Sequence, residues 1–268
     1  MAKTEIRIEN LHKSFGGVPV IDGIDLEVLR GEFVAVVGGS GCGKTVLLKL
    51  VIGHLKPELG KIYIANHDVP GHPLVDVTAL DDEELDQVRV HSAVVFQRNA
   101  LFSASVYENI ALWLREYRHL DEATIQKRAR QAIDEVGFEG DETILKKQRH
   151  ELSGGMAKRV AIARALAMRP TIMYYDEPTT GLDPANAASI HDLIRFTHNR
   201  KIDDVAPTTL VITHDKDLLT RLRPRVVMLH EGRVFFDGRF EEFEAADSPI
   251  IRPYFELMPV LQQRSLPA

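Results

Sequence analysis

Residues 38–45 of the chain read Gly-Gly-Ser-Gly-Cys-Gly-Lys-Thr. They follow the apolar run 33–37 and precede residues 46–52, whose apolar spacing is that of a buried helix. The glycines allow a tight turn in which backbone N–H groups point inward at an anion, and the helix dipole adds positive charge there. Strand, glycine-rich turn and helix in this order predict a phosphate-binding loop rather than an ordinary glycine turn.

The side chains of this loop have distinct predicted tasks. Lys44 can reach the β- and γ-phosphates of a nucleotide, while the Thr45 hydroxyl can bind Mg²⁺. The sequence therefore predicts a nucleotide site. We expect the nucleotide to be held by the whole turn and the start of the helix, namely Gly38, Gly39, Ser40, Gly41, Cys42, Gly43, Lys44, Thr45 and Val46.

The composition is that of a globular protein without signs of nucleic-acid binding. The 268 residues are 44% hydrophobic and 27% charged, which suits one large domain or two modest ones. A formal net charge of −6 gives no electrostatic footprint for nucleic acid, and the single cysteine, Cys42, fits a reducing cytosol. Residues 1–5 lack the apolar core of a signal peptide, and no apolar run approaches the ~20 residues that span a bilayer. We expect a partner to hold the protein at any membrane where it works.

Polar side chains follow two further buried-strand patterns. Gln97 comes after residues 93–96, at the end of a predicted strand where ligands bind in open α/β sheets. It can contact Mg²⁺ or the attacking water, although on its own a strand-end amide bonded to the backbone is the better interpretation. His214 follows residues 209–213 and can hydrogen-bond a γ-phosphate, with an ordinary structural histidine as the alternative.

A pair of carboxylates ends another apolar run, residues 172–175. Asp176 is positioned to hold Mg²⁺ near the phosphates, and Glu177 can polarise the water that attacks the γ-phosphate. An Asp-Glu pair after a strand is more often a turn and helix cap. Here we favour the metal and base interpretation, because a phosphate loop already requires a metal partner.

Two weaker signals complete the candidate site. Ser153, Gly154 and Gly155 open a helix of small residues and form a second potential anion site, although serine is also a common N-cap. Phe15 can stack on an adenine ring or can anchor a turn in the core, and spacing alone favours neither.

The rest of the chain supplies strands, an inserted helical region and an apolar tail. Residues 105–138 have helical spacing without an intervening strand, and Asp121 is placed to cap a helix over residues 122–136. His67, His72 and His91 are scattered without metal-ligand spacing, which predicts loop or surface positions. Further strands are predicted within residues 6–11, 24–28 and 61–64, an acidic helix start at 81–85, a hairpin over 226–236, and a docking tail after 248.

Taken together, these stretches resemble the ATP-binding cassette ATPase family over nearly the whole chain. The carrying motifs are the phosphate loop, the Q-loop Gln97, the signature 152–156, the Walker B Asp176 with Glu177, the D-loop 181–183, the switch His214 and the adenine-stacking Phe15. The resemblance implies an α/β P-loop NTPase fold with a RecA-like mixed sheet, an N-terminal antiparallel β-subdomain and an inserted helical subdomain at about 99–168. It implies an ATPase domain over residues 1–248 and a docking extension over 249–268. The implied catalytic residues are Glu177, His214, Gln97 and Lys44, and the implied metal ligands are Thr45, Gln97 and Asp176.

The family resemblance also implies a partner copy. Two cassettes pair head to tail, so Ser153, Gly154 and Gly155 of one chain meet the γ-phosphate bound by the other, with Asp183 nearby. ATP with Mg²⁺ holds the dimer together, and hydrolysis lets it open. The site then works by positioning and charge stabilisation, with little covalent chemistry for the protein itself.

One departure from the family pattern narrows the subfamily. Met156 stands where glutamine is usual, and with residues 96–102 it resembles the Mla/Mce-type lipid-transport ATPases. That resemblance implies a peripheral subunit on the cytoplasmic face of the inner membrane, which binds a permease and moves lipid between envelope membranes. MCE lipid-binding and regulatory subunits are further implied partners. Residues 99–106 would line the permease groove, although Leu101 and Phe102 can equally belong to the helical core, and the tail would pack on the partner cassette.

Three rival interpretations remain. The chain can serve another importer or exporter with a different substrate. A soluble cassette mechanoenzyme acting on DNA or ribosomes would carry a long coiled-coil insertion or a second cassette, and neither occurs in this sequence. A nucleotide-gated module without hydrolysis is disfavoured by the intact Lys44, Asp176, Glu177 and His214.

Overall fold

Two β-sheets organise the chain, for which a computed structural model describes residues 3–201 and 205–252. One sheet has the strand order β2-β1-β4-β5 and the other has the order β10-β9-β3-β8-β7-β6. The strands are β1 (Thr4–Phe15), β2 (Val18–Leu29), β3 (Phe33–Val37), β4 (Leu59–Ala65), β5 (Leu74–Asp76), β6 (Ser92–Val95), β7 (Ile172–Asp176), β8 (Thr208–Ile212), β9 (Arg225–His230) and β10 (Arg233–Arg239).

Eight α-helices connect or cover these strands in the described ranges. They are α1 (Lys44–Val51), α2 (Asp82–Arg89), α3 (Val106–Glu116), α4 (Glu122–Ile133), α5 (Gly154–Ala167), α6 (Pro184–Asn199), α7 (Lys216–Leu222) and α8 (Phe240–Glu244). A π-helical turn spans Asp134–Phe138, and two short 3₁₀ turns span Ile144–Lys146 and Arg149–Glu151. No helix within residues 3–201 and 205–252 combines the length and apolarity that a membrane crossing needs.

The first sheet is antiparallel, as the alternating pattern predicts. β1 pairs with β2 on one side and with β4 on the other, and Ile6 lies opposite both Val28 and Ile64. The apolar positions of these strands face one side and enter a shared core with α1. This sheet is the predicted N-terminal antiparallel β-subdomain.

The second sheet is mixed and places the candidate site. β3, β8, β7 and β6 run parallel to one another, β9 runs parallel to β3, and β10 returns antiparallel to β9. Every residue of β7 and β8 is buried, which explains their continuous apolar runs. Because the carboxyl ends of parallel strands meet at one edge, the segments after β3, β6, β7 and β8 converge there. The predicted RecA-like mixed sheet is confirmed.

The helical region lies between β6 and β7, where the sequence predicts it. Ser105 caps α3 and Asp121 caps α4 through side-chain oxygens that accept backbone N–H groups. The helix predicted over residues 122–136 ends as an α-helix at Ile133 and continues as the π-helical turn. There the carbonyl of Val136 accepts a hydrogen bond from Arg159 Nη1 at 2.6 Å, so a side chain of α5 satisfies a carbonyl at the end of this helix.

The stretch between β4 and α2 contains a strand that the sequence does not predict. It is the short strand β5, which pairs with β4 antiparallel, so the region is not a simple loop. His67, His72 and His91 do lie in loops, but they are not scattered. The His67 ring centroid lies 4.8 Å from that of His72 and 5.6 Å from that of His91. His67 Nε2 also contacts the carboxylate of Glu5, which is fully buried at the start of β1.

The C-terminal described residues pack against the mixed sheet. Phe240 and Phe243 of α8 are buried, and Ile251 joins the same core. Residues 253–268 of the predicted docking extension lie outside the described residues. Docking of that segment on a partner cassette therefore stays a prediction, as does the division of the chain at residue 248.

Candidate nucleotide site

The phosphate loop occupies the turn between β3 and α1, as predicted. Two glycines are required by its geometry. Gly38 has φ 144° and Gly43 has φ 102°, both in a region that side-chain-bearing residues rarely adopt. A Cβ atom on Gly38 would lie 2.6 Å from Cys42 Sγ, and one on Gly43 would lie 2.7 Å from the Val20 carbonyl oxygen. The loop can thus form only with glycine at these positions.

Lys44 is folded across the loop. Its Nζ atom donates hydrogen bonds to the carbonyl oxygens of Gly38 at 2.8 Å and Gly39 at 2.9 Å. Cys42 Sγ lies 3.8 Å from the same nitrogen. Gly39, Ser40, Gly41 and Thr45 are exposed at the mouth of the loop. A phosphate oxygen is a stronger acceptor for an ammonium than a carbonyl, so a bound nucleotide can draw Lys44 toward itself.

Asp176 ends β7, which β8 separates from β3 in the sheet. Its side chain is almost completely buried, with 8% relative exposure. Its Oδ1 atom has no hydrogen-bond partner among the described residues. Burial raises the pKa of Asp176, the negative charge of Glu177 raises it further, and the charges of nearby lysines oppose both effects. An unpaired buried carboxylate oxygen is costly unless a cation binds it.

The donor set at this edge fits Mg²⁺. Mg²⁺ is usually held by one or two carboxylates together with substrate phosphates and water, rather than by a cage of protein ligands. Asp176 supplies the carboxylate and the exposed Thr45 supplies a hydroxyl. Within residues 3–201 and 205–252, no cluster of three or more His, Cys, Asp or Glu residues is arranged as a metal site. The metal would therefore depend on the nucleotide for its remaining ligands.

Glu177 and His214 form a close pair at the ends of neighbouring strands. His214 Nδ1 lies 2.7 Å from Glu177 Oε2, and the carboxylate is far less exposed than the imidazole. Glu177 has φ 47°, a left-handed conformation that is uncommon for a residue with a side chain. Its backbone N–H donates to the Ile212 carbonyl at 2.9 Å, which holds this conformation. The structure thus brings together two residues that lie 37 positions apart in the sequence numbering.

Asp215, next to His214, is a residue that sequence reasoning missed. It caps α7 and accepts hydrogen bonds from His191 at 2.8 Å and from the Thr179 hydroxyl at 2.7 Å. Burial acts to raise the pKa of Asp215, but these hydrogen bonds outweigh burial and lower it to about 2. Because Thr179 follows Glu177 closely, this carboxylate ties the backbone after Glu177 to the backbone after His214. The sequence carries no signal for this role, because His191 reaches Asp215 from α6 only in the folded chain.

Gln97 is exposed in the segment after β6, and β6 pairs with β7, so it lies at the same edge as Asp176. Within residues 3–201 and 205–252 its side chain makes no hydrogen bond, so the structure does not show the alternative of a strand-end amide bonded to the backbone. The backbone carbonyl oxygen of Gln97 accepts a hydrogen bond from Lys158 Nζ at 3.0 Å. Lys158, buried in α5, is a second residue that sequence reasoning missed.

Phe15 is not a core residue. It ends β1, is 47% exposed, and has Lys13 Nζ at 5.6 Å from its ring centroid. The alternative of a turn-anchoring core aromatic is therefore wrong. Stacking of this ring on adenine stays a prediction.

The signature segment lies elsewhere on the surface. Ser153 caps α5 by accepting from the Met156 N–H at 3.3 Å, and both Ser153 and Gly154 are exposed. A Cβ atom on Gly155 would lie 2.7 Å from Asn186 Oδ1, and Asn186 is itself held by Asp183. The signature and the D-loop thus pack together. No hydrogen bond or ion pair among the described residues joins residues 153–155 to the phosphate loop.

Fold and site define a P-loop ATPase with a cassette architecture. The chain matches the ABC transporter family over residues 21–180, more than half of its length, and belongs to that family. It is the nucleotide-binding subunit of an ABC transporter, and it binds and hydrolyses ATP.

Relatives with curated descriptions extend this result. The chloroplastic protein TRIGALACTOSYLDIACYLGLYCEROL 3 of Arabidopsis thaliana is 36% identical over 262 residues, which cover 93% of this chain and 72% of the relative. The intermembrane phospholipid transport system ATP-binding protein MlaF of Haemophilus influenzae is 33% identical over 243 residues, covering 90% of this chain and 86% of the relative. The spermidine/putrescine import ATP-binding protein PotA of Fusobacterium nucleatum is 34% identical over 239 residues, covering 89% and 58%.

A solved structure shares the fold. It is the dimeric post-hydrolysis state of the ATP-binding cassette MJ0796 bound to ADP and Pi, with a TM-score of 0.75 and 30% identity. The match covers 88% of this chain and 98% of that one. The predicted family, fold class and ATPase activity are confirmed.

Proposed function

We propose that this chain powers the movement of phospholipid or a related lipid between envelope membranes, as one half of a head-to-tail ATPase dimer. The structural observation that carries the chemistry is the Glu177–His214 pair at 2.7 Å, which lies at the sheet edge beside the buried Asp176. The lipid substrate is supported by the relatives, because two of those with 33–36% identity carry names that refer to intermembrane phospholipid or galactolipid.

In this proposal each residue at the sheet edge acts by position and charge. Glu177 orients the attacking water and accepts its proton, and the exposed His214 directs its Nε2 atom at the γ-phosphate while Nδ1 holds Glu177. Lys44 leaves the loop carbonyls for the β- and γ-phosphates. Asp176, Thr45 and Gln97 would hold Mg²⁺, which supplies positive charge at the phosphate oxygens when it is bound.

The partner of the dimer is a second copy of the chain. Ser153 and Gly154 are exposed at the N-terminus of α5, where unsatisfied N–H groups and the helix dipole favour an anion. They make no contact with their own phosphate loop through hydrogen bonds or ion pairs among the described residues. A γ-phosphate held by a second chain is the anion that fits, and the similar cassette MJ0796 is a dimer with ADP and Pi.

A cavity beside Gln97 supports docking of a permease. Its volume is about 380 Å³, and it is lined by His54, Phe96, Trp113, Tyr117 and Arg164 among others. The Trp113 and Tyr117 rings stack with centroids 5.2 Å apart. An apolar, aromatic cleft that opens between two parts of the chain suits a short amphipathic helix of a membrane partner. A permease helix seated here would press directly on the segment that carries Gln97.

The predicted permease groove over residues 99–106 adjoins this cavity without lining it. Arg164 lines the cavity and donates to the carbonyl oxygens of Ala100 and Asn99, so movement of the cavity wall reaches this segment. Leu101 packs against the helical core, as the alternative interpretation has it, whereas Phe102 is exposed and available to a partner.

Location and further partners follow from the lipid proposal. The protein would sit as a peripheral subunit on the cytoplasmic face of the inner membrane, held by its permease, with MCE lipid-binding and regulatory subunits in the same complex. The rival of a different importer is favoured by one specific observation, the 34% identity with a spermidine/putrescine import subunit.

Reconstitution distinguishes these substrates. The chain is co-purified with its native membrane partners, and transfer of fluorescent phospholipid and of radiolabelled spermidine is measured with ATP in proteoliposomes. We expect ATP-dependent transfer of lipid, none of spermidine, and none of either with the Glu177→Gln variant. Spermidine uptake without lipid transfer would contradict the lipid proposal while leaving the ATPase assignment intact.

A further inference from the structure

Helix α5 is hydrogen-bonded to the backbone of the segment that carries Gln97. Lys158 donates to two carbonyl oxygens of this segment, both at 3.0 Å, and Arg164 donates to two more at 2.7 and 3.3 Å. Both cations belong to α5. The four acceptor carbonyls are those of Phe96, Gln97, Asn99 and Ala100. Within residues 96–100, every backbone carbonyl except that of residue 98 thus accepts a hydrogen bond from α5.

Lys158 is a charged residue at a position that the fold buries. Its side chain is 2% exposed, and among the described residues it makes no ion pair with a carboxylate. Burial lowers the pKa of Lys158 to about 8, and the charge of Asp176 opposes this only in part. A lone charge is costly to bury, and hydrogen bonds to two carbonyl oxygens offset only part of that cost. The lysine therefore calls for a functional explanation.

The position of Lys158 in α5 supplies that explanation. Ser153 caps the helix, and Lys158 lies five residues further, about 7 Å along the axis of a rigid element. The helix thus carries the exposed signature at its N-terminus and the hold on the Gln97 backbone one and a half turns later. Arg164, a further six residues along, lines the cavity as well.

We propose that Lys158 is a positioning residue for ATP hydrolysis, which ties the Gln97 backbone to the helix that carries the signature. This inference rests on the proposed roles of Gln97 at the chain's own nucleotide and of Ser153 at the partner's. When the signature of one chain seats on the partner's γ-phosphate, the shift of α5 reaches Gln97 through the two hydrogen bonds of Lys158. The two nucleotide sites of the dimer are thereby linked through α5, with Lys158 holding Gln97 itself and Arg164 holding residues 99 and 100.

The test replaces the ammonium with a group of similar length that cannot donate. In Lys158→Met we expect the affinity of the isolated chain for ATP to stay within about twofold, because the phosphate loop is untouched, while kcat falls by about 10- to 100-fold through misplacement of Gln97. Hydrogen exchange of the amides in residues 97–101 should become about tenfold faster, and the melting temperature should fall by no more than a few degrees, because Gln97 is exposed and water can replace the lost donor. Lys158→Gln, which can still donate, should restore part of kcat.

Lys127→Met is the matched control, because Lys127 is an exposed lysine on α4 in the same helical region. It should leave kcat and the exchange of residues 97–101 unchanged. Unchanged kcat and unchanged exchange in a folded Lys158→Met protein would overturn the inference. If that variant does not fold, Lys158→Gln with wild-type exchange but reduced kcat would overturn it equally.

A Gln97→Ala variant separates this inference from the proposed function. If Gln97→Ala keeps full kcat, the role proposed for Gln97 fails, and Lys158 has nothing to position. If Gln97→Ala loses activity while Lys158→Met keeps it, only the inference about Lys158 fails.

Discussion

The phosphate loop and the signature segment are built from the same physical parts but stand in opposite situations. Each is a glycine-rich turn at a helix N-terminus, one before α1 and the other before α5. The phosphate loop has Lys44 within it and lies at a sheet edge with Asp176, Glu177 and His214. Ser153 and Gly154 of the signature are exposed, and Gly155 packs against Asn186 of α6, which Asp183 of the D-loop holds. In the proposed dimer, one chain therefore carries half of each of two sites, and a second copy supplies the other halves.

The largest effect is expected at the loop half of the site. In Glu177→Gln the carboxylate that we propose to orient the attacking water is lost, while Lys44 and the glycine turn are unchanged. We expect kcat to fall by at least about 100-fold, with ATP affinity retained and a dimer that persists in ATP. Turnover assays and size-exclusion chromatography with ATP check this.

Glu139→Gln, an exposed glutamate remote from these motifs in sequence, is the control and should behave as the wild type. Full turnover in Glu177→Gln would show that Glu177 is not the base.

A chemical probe tests the same half more locally. Cys42 is the single cysteine of the chain, and its Sγ lies 3.8 Å from Lys44 Nζ inside the loop. Alkylation with N-ethylmaleimide should weaken ATP binding by about tenfold or more, since the added group occupies the space of the phosphates, and prior ATP should protect.

Cys42→Ser should bind ATP and resist the reagent, which separates the loop from other targets. Unchanged ATP affinity after complete alkylation would contradict the loop geometry described above.

A smaller effect is expected at the signature half. In Gly155→Ala the new methyl group meets Asn186 Oδ1 at 2.7 Å, so the signature or the D-loop must shift. ATP affinity of the isolated chain should be unchanged, while turnover of the dimer should fall by about five- to tenfold.

Removing the obstructing amide in a Gly155→Ala, Asn186→Ala double variant should recover turnover relative to Gly155→Ala. Weaker ATP binding by the isolated Gly155→Ala chain would show that the signature acts on its own loop, and the contrast between the two halves would disappear.

The smallest effect is expected outside both halves of the site, at the cluster of His67, His72 and His91. These histidines lie near the start of β1, in the loop before β5 and just before β6. Burial lowers the pKa of His72 and of His91, and Asp68 only partly offsets this at His91. The unfolded chain therefore binds protons that the folded chain does not, so stability is full above about pH 6.5 and falls below it. The melting temperature should drop by a few degrees between about pH 7.5 and pH 5.5.

His91→Gln should reduce this drop, because a neutral amide can still contact Asp68 without titrating. An equal drop in His91→Gln and in the wild type would remove His91 as a cause.

The sequence predicted those site residues that sit at strand ends. Lys44, Asp176, Glu177 and His214 each follow a buried apolar run, and parallel strands must bring their carboxyl ends to one edge. That geometric rule turns a one-dimensional pattern into proximity, so the loop half of the site and the mixed sheet were both predictable. The helix caps Ser153 and Asp121 were predictable for a similar local reason.

Residues that act by tertiary contact were not predictable. Lys158 looks like a surface lysine within a helix of small residues, and only packing of α5 against the segment after β6 buries it. Asp215 reads as a helix cap until His191 reaches it from α6. The histidine cluster likewise depends on three chain segments that meet in space. β5 was missed because three residues are too few for a periodic pattern.

In the proposed dimer, one chain holds the nucleotide and the signature of the other chain completes the site. Mixing two inactive variants tests this most directly. Lys44→Ala removes the lysine of its phosphate loop, and Ser153→Arg blocks its signature with a larger side chain. If the site is shared, a mixed dimer contains one intact site, because the loop of the Ser153→Arg chain meets the signature of the Lys44→Ala chain. Random exchange makes half of the dimers mixed, so one intact site in each sets about a quarter of wild-type ATPase activity as the upper limit. The link through Lys158 lowers the recovery below that limit, but the mixture should still exceed the summed activity of the two variants assayed alone. No recovery, with mixed dimers demonstrated, would contradict the shared site.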